Sequence, residues 1–320
     1  MGVNNLGMRY LFVLFLLSAF VPMQTTVSIQ DLVNSASDGD VIYLDAGVYV
    51  GNVTLYPKQN ISIVGAGVPN YDGENLTGGT VIVGKVDLFD SVGSSLSNLG
   101  IDVHESNINA IDTGSLVPYE QHRLNQRFTN LSLAGNDAVW NAGNASHGIR
   151  IQGGSHITID NVTSYHFAHG IAIRGSWVNV SNVYSQDAAQ TAIIVKAADT
   201  TGNAEYINIS NVQSQSFLPS SGGRITVQSV SAGYAARFVN ISNALVDSAS
   251  APAVTIESIP GIVEHVNVTN IIATNNKTWS YGVFYVNGAA FVNFTACQSV
   301  NPLHVNVEFY DGGNNNTFAP

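Results

Sequence analysis

Ile157-Thr-Ile-Asp-Asn161, Val178-Asn-Val-Ser-Asn182, Ile207-Asn-Ile-Ser-Asn211, Val239-Asn-Ile-Ser-Asn243, Val266-Asn-Val-Thr-Asn270 and Val292-Asn-Phe-Thr-Ala296 are six versions of one pentapeptide. Each alternates apolar and polar residues, the period-2 pattern of a strand with one buried face. Between them runs a second strand type: Gly148-Ile-Arg-Ile151, Gly170-Ile-Ala-Ile173, Ala192-Ile-Ile-Val195, Arg224-Ile-Thr-Val227, Ala253-Val-Thr-Ile256, Gly282-Val-Phe-Tyr285 and His304-Val-Asn-Val307. Copies recur every 21 to 32 residues, from Ile157 to Val178 at the shortest and from Ile207 to Val239 at the longest. That is one turn of a β-solenoid with loops of variable length between strands. Nothing in this region repeats at helical period, which excludes an α-solenoid.

The residue closing the pentapeptide is Asn in five consecutive copies, at 161, 182, 211, 243 and 270. Apolar periodicity does not demand an amide at a fixed phase, whereas a stack does. Side chains about 4.8 Å apart in successive rungs bond up and down the stack as an Asn ladder. The expectation is that such a ladder satisfies amides that burial would otherwise leave unpaired.

These repeats, with the opening segment, resemble the pectin-lyase-like superfamily of parallel β-helix proteins. The opening has Val27-Ser-Ile-Gln-Asp-Leu-Val-Asn-Ser-Ala36 as a short helix, followed by the strand-like Asp38-Gly-Asp-Val-Ile-Tyr-Leu-Asp-Ala-Gly-Val-Tyr49 and Ile61-Ser-Ile-Val-Gly-Ala-Gly67. The resemblance covers about residues 27 to 310 and implies an all-β, right-handed parallel β-helix of three sheets with a short N-terminal capping helix. It places the Asn ladder in the tight turn between the second and third strands and makes the Gly-Ile-x-Ile strands the first sheet. In polysaccharide-processing relatives the outer face of that sheet carries the substrate cleft. Fold-determining residues carry the likeness, and they specify shape rather than activity.

Bulk properties narrow the function classes. Of 320 residues, 45% are apolar and 10% charged, with 22 acidic against 11 basic side chains and a formal charge of −11. A chain this apolar is not disordered, and without a basic run it does not bind nucleic acid. Arg9 followed by the apolar run Tyr10 to Met23 reads as a secretory signal, with residues 1–24 removed between about Ala19 and Thr26 and residues 25–320 forming the solenoid. The run is short of the roughly 20 apolar residues that span a bilayer, so no membrane span is expected after cleavage. The expected location is extracellular or at the cell surface. A single cysteine, Cys297, allows no intramolecular disulfide; it falls at the phase of Ile271 and reads as a small buried hydrophobe.

With Ile149 and Ile151 facing inward, Arg150 and Gln152 face out. The phase of Gln152 carries down the stack to Arg174, Lys196, Gln228, Glu257, Val286 and Glu308. Arg174 and Lys196 become neighbours, and unit charges about 4.8 Å apart repel by at most about 3.5 kcal/mol at an effective dielectric near 20. That repulsion pushes Lys196 towards the neutral form a general base requires. An acidic polysaccharide offers carboxylates for Arg174 to hold in a fork, while Lys196 removes a C5 proton in a β-elimination. The pair resembles the Lys and Arg one coil apart in some lyases of the superfamily. The same two residues also read simply as solvated charges on an exposed sheet. No cofactor is implied: calcium-dependent relatives cluster acids beside the base, and this column has none next to Lys196. The paired carboxylates of glycoside hydrolysis are missing as well, because Ser146-His-Gly stands where aspartates are expected.

His147 and His169 should stack in the turn leading into the first sheet, with Thr191 next. His169 is a proton-transfer candidate, and turn packing is the competing reading. Gln152, Arg150, Gln228 and Glu257 are the expected substrate contacts. The stretch 104–145 reads as an irregular excursion, from which Trp140 supplies a platform for sugar rings, as do Tyr119 and Trp177. Thirteen N-x-S/T matches occur. Those at Asn179, Asn208, Asn240, Asn267 and Asn293 share one phase, where neighbouring glycans would collide, so they read as an outward polar ladder. Asn52, Asn75, Asn144, Asn276 and Asn315 are the candidate glycan acceptors. Two functions remain open: a secreted protein that binds and cleaves an acidic polysaccharide on the first sheet, or a non-catalytic adhesin of a cell surface or virion spike that binds glycans.

Overall fold

Alternation in sequence becomes an inside and an outside when successive coils pair in parallel, in register. Val178, Val180 and Val183 pair with Ile207, Ile209 and Val212, and those with Val239, Ile241 and Ala244. All of these side chains are buried in one continuous core that runs from Ile29 to Cys297. The result is an all-β solenoid of about eight turns with one short helix. The computed structural model describes residues 28–103, 107–115, 123–136, 146–198, 202–217, 222–247, 252–274, 283–300 and 309–319. The expected signal segment lies outside them, and among them no helix is long and apolar enough to cross a membrane.

The helix Ile29–Ser35 closes the N-terminal end, tucking Ile29 and Val33 into the first coil. An open solenoid end exposes unpaired backbone. Here the side-chain amide of Gln30 stands in for a strand: it donates to the Thr54 carbonyl at 3.1 Å and accepts from the Thr54 amide at 2.7 Å.

Strands run almost unbroken around the coil, as in His147–Tyr165 and His169–Gln186. They can do so because each coil bends at single residues held at positive φ. One corner is Asn98, Asn130, Asn161, Asn182, Asn211, Asn243, Asn270 and Ala296, with φ between 52° and 56°. Left-handed backbone costs most L-residues about 1–2 kcal/mol, and Asn tolerates it best after Gly. The amides also bond between coils: Asn130 to Asn98 at 2.8 Å, Asn161 to Asn130 at 2.8 Å, Asn211 to Asn182 at 3.1 Å and Asn270 to Asn243 at 2.8 Å. Asn182 instead donates to the Asp160 carboxylate at 2.8 Å, which also takes the Ser181 hydroxyl at 2.7 Å. These hydrogen bonds hold the Asp160 pKa below the usual carboxylate value. The ladder is therefore present but, from Asn161 to Asn270, exposed at the corner. Its residues are selected by backbone conformation more than by burial.

Two details depart from the sequence reading, and a third agrees with it. The stretch 104–145 contains two regular strands, Ile111–Gly114 and Arg127–Ala134, in register with the coils on both sides. Phe128, Leu131 and Leu133 supply the inward positions there. Val286 is fully buried and pairs with Ile256, so Asn287, not Val286, follows Glu257 on the outside. A run of Val283, Phe284, Tyr285 and Val286 fits the alternation in two phases, and a slip of one residue exchanges the faces. Cys297 is buried at the phase of Ile271, since Gln298 pairs with Ile272.

Truncating Ile207, buried at the centre of the stack, should lower stability by about 2–5 kcal/mol for Ile207→Ala. At the Asn corner, Asn211→Val should cost more than Asn211→Gly, by about 1–2 kcal/mol. Urea unfolding of the three variants checks both.

Candidate functional site

Ile149, Ile151, Ile171, Ile173, Ile193 and Val195 point into the core and fix what the first sheet presents on its other side. The outward column begins at Gln152, which pairs with Arg174. Ile173 pairs with Val195, so Lys196 follows Arg174 directly. Lys196 pairs with Gln228 and Gln228 with Glu257. Of the expected set, Gln152, Arg174, Lys196, Gln228 and Glu257 thus share one line. Glu308, Trp140 and Tyr119 lie outside the described residues.

This face is sheltered rather than open. In the parallel column Ala172, Ile194, Thr226 and Thr255 are all buried although they point away from the core. Burial is accordingly the larger cause depressing the Lys196 pKa, and repulsion from Arg174 comes second. Repulsion, the cause expected from the sequence, acts in the right direction but supplies the smaller share. Arg174 and Arg224 are shifted the same way, again chiefly by burial, with Glu257 opposing the shift of Arg224.

A second line lies at the head of the sheet. His147 pairs with His169 and His169 with Thr191, which pairs with Arg224. The imidazoles stack with centroids 5.0 Å apart, and His169 Nδ1 lies 2.6 Å from the Thr191 hydroxyl. The coils approach closely here: a Cβ on Gly170 would lie 2.5 Å from the Ala192 carbonyl oxygen. His147 Nδ1 lies 2.8 Å from Asn109 Oδ1, and the Asn109 amide donates to the Asp112 carboxylate at 3.0 and 3.1 Å. Asp112 in turn holds Arg150 Nε at 2.5 Å. Arg150, expected as a free anion contact, is thereby neutralised and becomes a support for the histidines. Sequence reasoning missed Asn109 and Asp112, because their coil fell within the stretch read as irregular.

Burial and the surrounding cations Arg174, Arg224 and Lys196 push the His169 pKa down to about 3, and His147 is driven well below its ordinary value by burial and by His169. Both rings are therefore neutral at physiological pH. Four of the 11 basic residues of the chain, Arg150, Arg174, Lys196 and Arg224, surround them. His147 Nε2, Arg174 Nε, Arg224 Nε and the hydroxyls of Thr226 and Thr255 are buried without a hydrogen-bond partner. A buried donor left unmade costs about 1–3 kcal/mol. Several gathered on one face make a surface that is complete only when a polar, anionic partner covers it.

The glycan acceptors divide. Asn52 and Asn75 are exposed, and so is Asn315, at a positive-φ corner. Asn144 and Asn276 lie outside the described residues. The amides of Asn179, Asn208, Asn240, Asn267 and Asn293 form an outward ladder at 3.0–3.1 Å.

No family model and no curated protein sequence matches the chain. Solved structures do. An endo-xylogalacturonan hydrolase from Aspergillus tubingensis superposes with a TM-score of 0.57 at 13% identity, over 91% of this chain and 92% of that one. The surface adhesin PfbA of Streptococcus pneumoniae gives 0.48 at 10% identity, over 91% and 85%. The A-module of the mannuronan C-5 epimerase AlgE6 of Azotobacter vinelandii gives 0.46 at 15% identity, over 90% and 93%. At these identities the likeness is one of fold alone, a right-handed parallel β-helix.

The histidine stack makes a pH prediction. The folded protein binds the His169 proton more weakly than the unfolded chain, so the unfolded state holds more protons between about pH 6.5 and about pH 3. Stability should fall as pH drops through that window. In His169→Gln, urea midpoints measured across it should show a shallower slope.

Proposed function

We propose that this pectin-lyase-like β-helix binds an acidic polysaccharide on the first-sheet face and cleaves it by β-elimination. One observation carries the reading: unpaired buried donors of Arg174, Arg224, Thr226 and Thr255 coincide with a cluster of cations in an otherwise acidic protein. Uronate chains carry a carboxylate on every residue and hydroxyls around it, and so match both features.

The chemistry divides among the side chains by protonation state. Arg174 stays charged and holds the uronate carboxylate, drawing electron density from C5 and acidifying its proton. Lys196, shifted towards neutrality, takes that proton. The C4–O bond then breaks, a C4–C5 double bond forms, and the leaving oxygen takes a proton from solvent. Gln152, Gln228 and Glu257 continue the column and contact neighbouring sugar residues. His169, neutral and bonded to Thr191, positions rather than transfers. One fold neighbour named above is an endo-xylogalacturonan hydrolase, which is consistent with this substrate class.

A non-catalytic adhesin shares the binding face but not the base, and two substitutions separate the readings. Arg174→Ala should weaken binding of hexagalacturonate, or of the best-bound uronate oligomer, by about tenfold to a hundredfold, the value of a charge-assisted hydrogen bond. Lys196→Ala should abolish unsaturated product, read as ultraviolet absorbance, with binding retained within a few-fold. Binding without product from the unaltered protein leaves the adhesin reading. Absence of binding to pectate, alginate and glycosaminoglycans, with and without calcium, removes both.

A further inference from the structure

The second positive-φ corner of the coil breaks the rule that the first obeys. At its ends it has the residues the backbone favours, Asn60, Gly93 and Asn125, and finally Asn315. Between them come His156, Trp177, Tyr206, Phe238, His265 and Phe291, all at φ between 54° and 63°. Bulky residues are rare in that region of backbone space, and Trp177, Tyr206, Phe238 and Phe291 oppose the local preference. A strained backbone position kept against preference points to a use.

The six rings form one stack, with centroids 5.9, 4.2, 5.0, 5.3 and 5.0 Å apart and planes within 17° of parallel. The stack is not core: Trp177 is 51% exposed, Tyr206 and Phe238 38% and Phe291 44%. Two residues further along each strand lies the outward Asn ladder of 179, 208, 240, 267 and 293. An apolar ridge therefore runs beside a row of amides, both parallel to the solenoid axis. Between them opens a groove of about 710 Å³, lined by Asn125, Arg127, His156 and Trp177 and floored by the amides of Asn179 and Asn208.

Stacked rings cover each other's faces and present edges outward, except where the stack ends. It ends in this groove. Asn125 beyond His156 carries no ring, and the His156–Trp177 gap is the widest of the five. Each ladder amide from Asn208 to Asn293 spends one N–H and one oxygen lone pair on its neighbours and keeps one of each for solvent, and Asn179 spends only the lone pair. The floor thus offers donors and acceptors in alternation, and Arg127 is the one charged side chain lining the groove. Such a surface suits a chain of hydroxyls with apolar C–H faces and offers little to a polyanion.

We propose that this groove is a second glycan site, taking a neutral, linear, β-linked polysaccharide laid parallel to the solenoid axis. One pyranose packs against the His156–Trp177 end of the stack, and its neighbours hydrogen-bond to the Asn179, Asn208 and Asn240 amides, one sugar per rung. The site lies past the Trp177 corner from Arg174 and Lys196, on the next face of the coil, so a single molecule bridges a neutral and an acidic polymer.

The test is titration of the full-length protein with cellohexaose, xylohexaose and hexagalacturonate, followed by tryptophan fluorescence and calorimetry. Binding of a neutral hexasaccharide that changes the emission is expected, weakened at least tenfold in Trp177→Ala and kept within threefold in Trp177→Phe. Asn208→Leu, which leaves the rings in place, should also weaken it at least fivefold, and thermal melts establish that each variant is folded. Arg174→Ala should leave neutral binding unchanged. Neutral binding that survives both Trp177→Ala and Asn208→Leu, or no neutral binding at all, overturns the proposal. Binding of hexagalacturonate alone overturns it too and leaves the first-sheet reading standing.

Discussion

Everything in this molecule depends on successive coils superposing residue on residue. Backbone hydrogen bonds hold one coil to the next about 4.8 Å away, but they would hold a slipped register equally well. What excludes the slip is the pair of corners at which a single residue per coil takes positive φ. A strand moved by one residue would put a β-branched Val or Ile into the left-handed region and an Asn or a ring into the core. Register is thus fixed by a steric constraint repeated once per turn, and loops of any length between the strands leave it intact.

The same superposition explains why like residues accumulate in columns. In an ordinary globular fold a side chain meets unlike neighbours, whereas here each position meets its own counterpart above and below. Amides and rings gain from that arrangement and charges lose. The cations of the first sheet persist against this rule: Arg174 and Lys196 follow one another, with burial adding to their repulsion. Elsewhere the chain resolves the conflict by alternating sign, as where Arg237 sits between Glu205 at 2.7 Å and Glu264 at 3.8 Å. The first-sheet column lacks that remedy next to Lys196, which Gln228 follows, and the difference is what the proposed binding face rests on.

Much of this was legible in the sequence because the repeat is short and strict. Asn161 to Asn270, the Asn179 to Asn293 ladder and the place of Cys297 all follow from counting phase. The ring column was legible too, since His156, Trp177, Tyr206, Phe238, His265 and Phe291 each immediately precede the first apolar residue of the pentapeptide. It escaped notice because the repeat was read from its apolar residues outward, and bulky rings are not expected at positive φ. Shelter of the first-sheet face was harder to see. Ile193-Ile194-Val195 is an unbroken apolar run, the sign of a strand covered on both sides, but single outward positions such as Ala172 pass for chance. The Arg150–Asp112–Asn109–His147 chain was out of reach, because it joins residues on two coils whose register cannot be counted across loops of unknown length.

The clustering of Arg174, Lys196 and Arg224 in a molecule of formal charge −11 has an electrostatic consequence for encounter. Acidic overall, the protein is repelled by a polyanion at long range, and only one orientation brings positive potential forward. Within a Debye length of roughly 8 Å at physiological ionic strength, the local patch outweighs the distant net charge. On the proposed function, a collision on the wrong side is therefore rejected, and one on the first sheet is captured. Such a surface trades speed of association for selectivity of approach, and moderate salt, by screening the repulsion first, quickens capture before it weakens it.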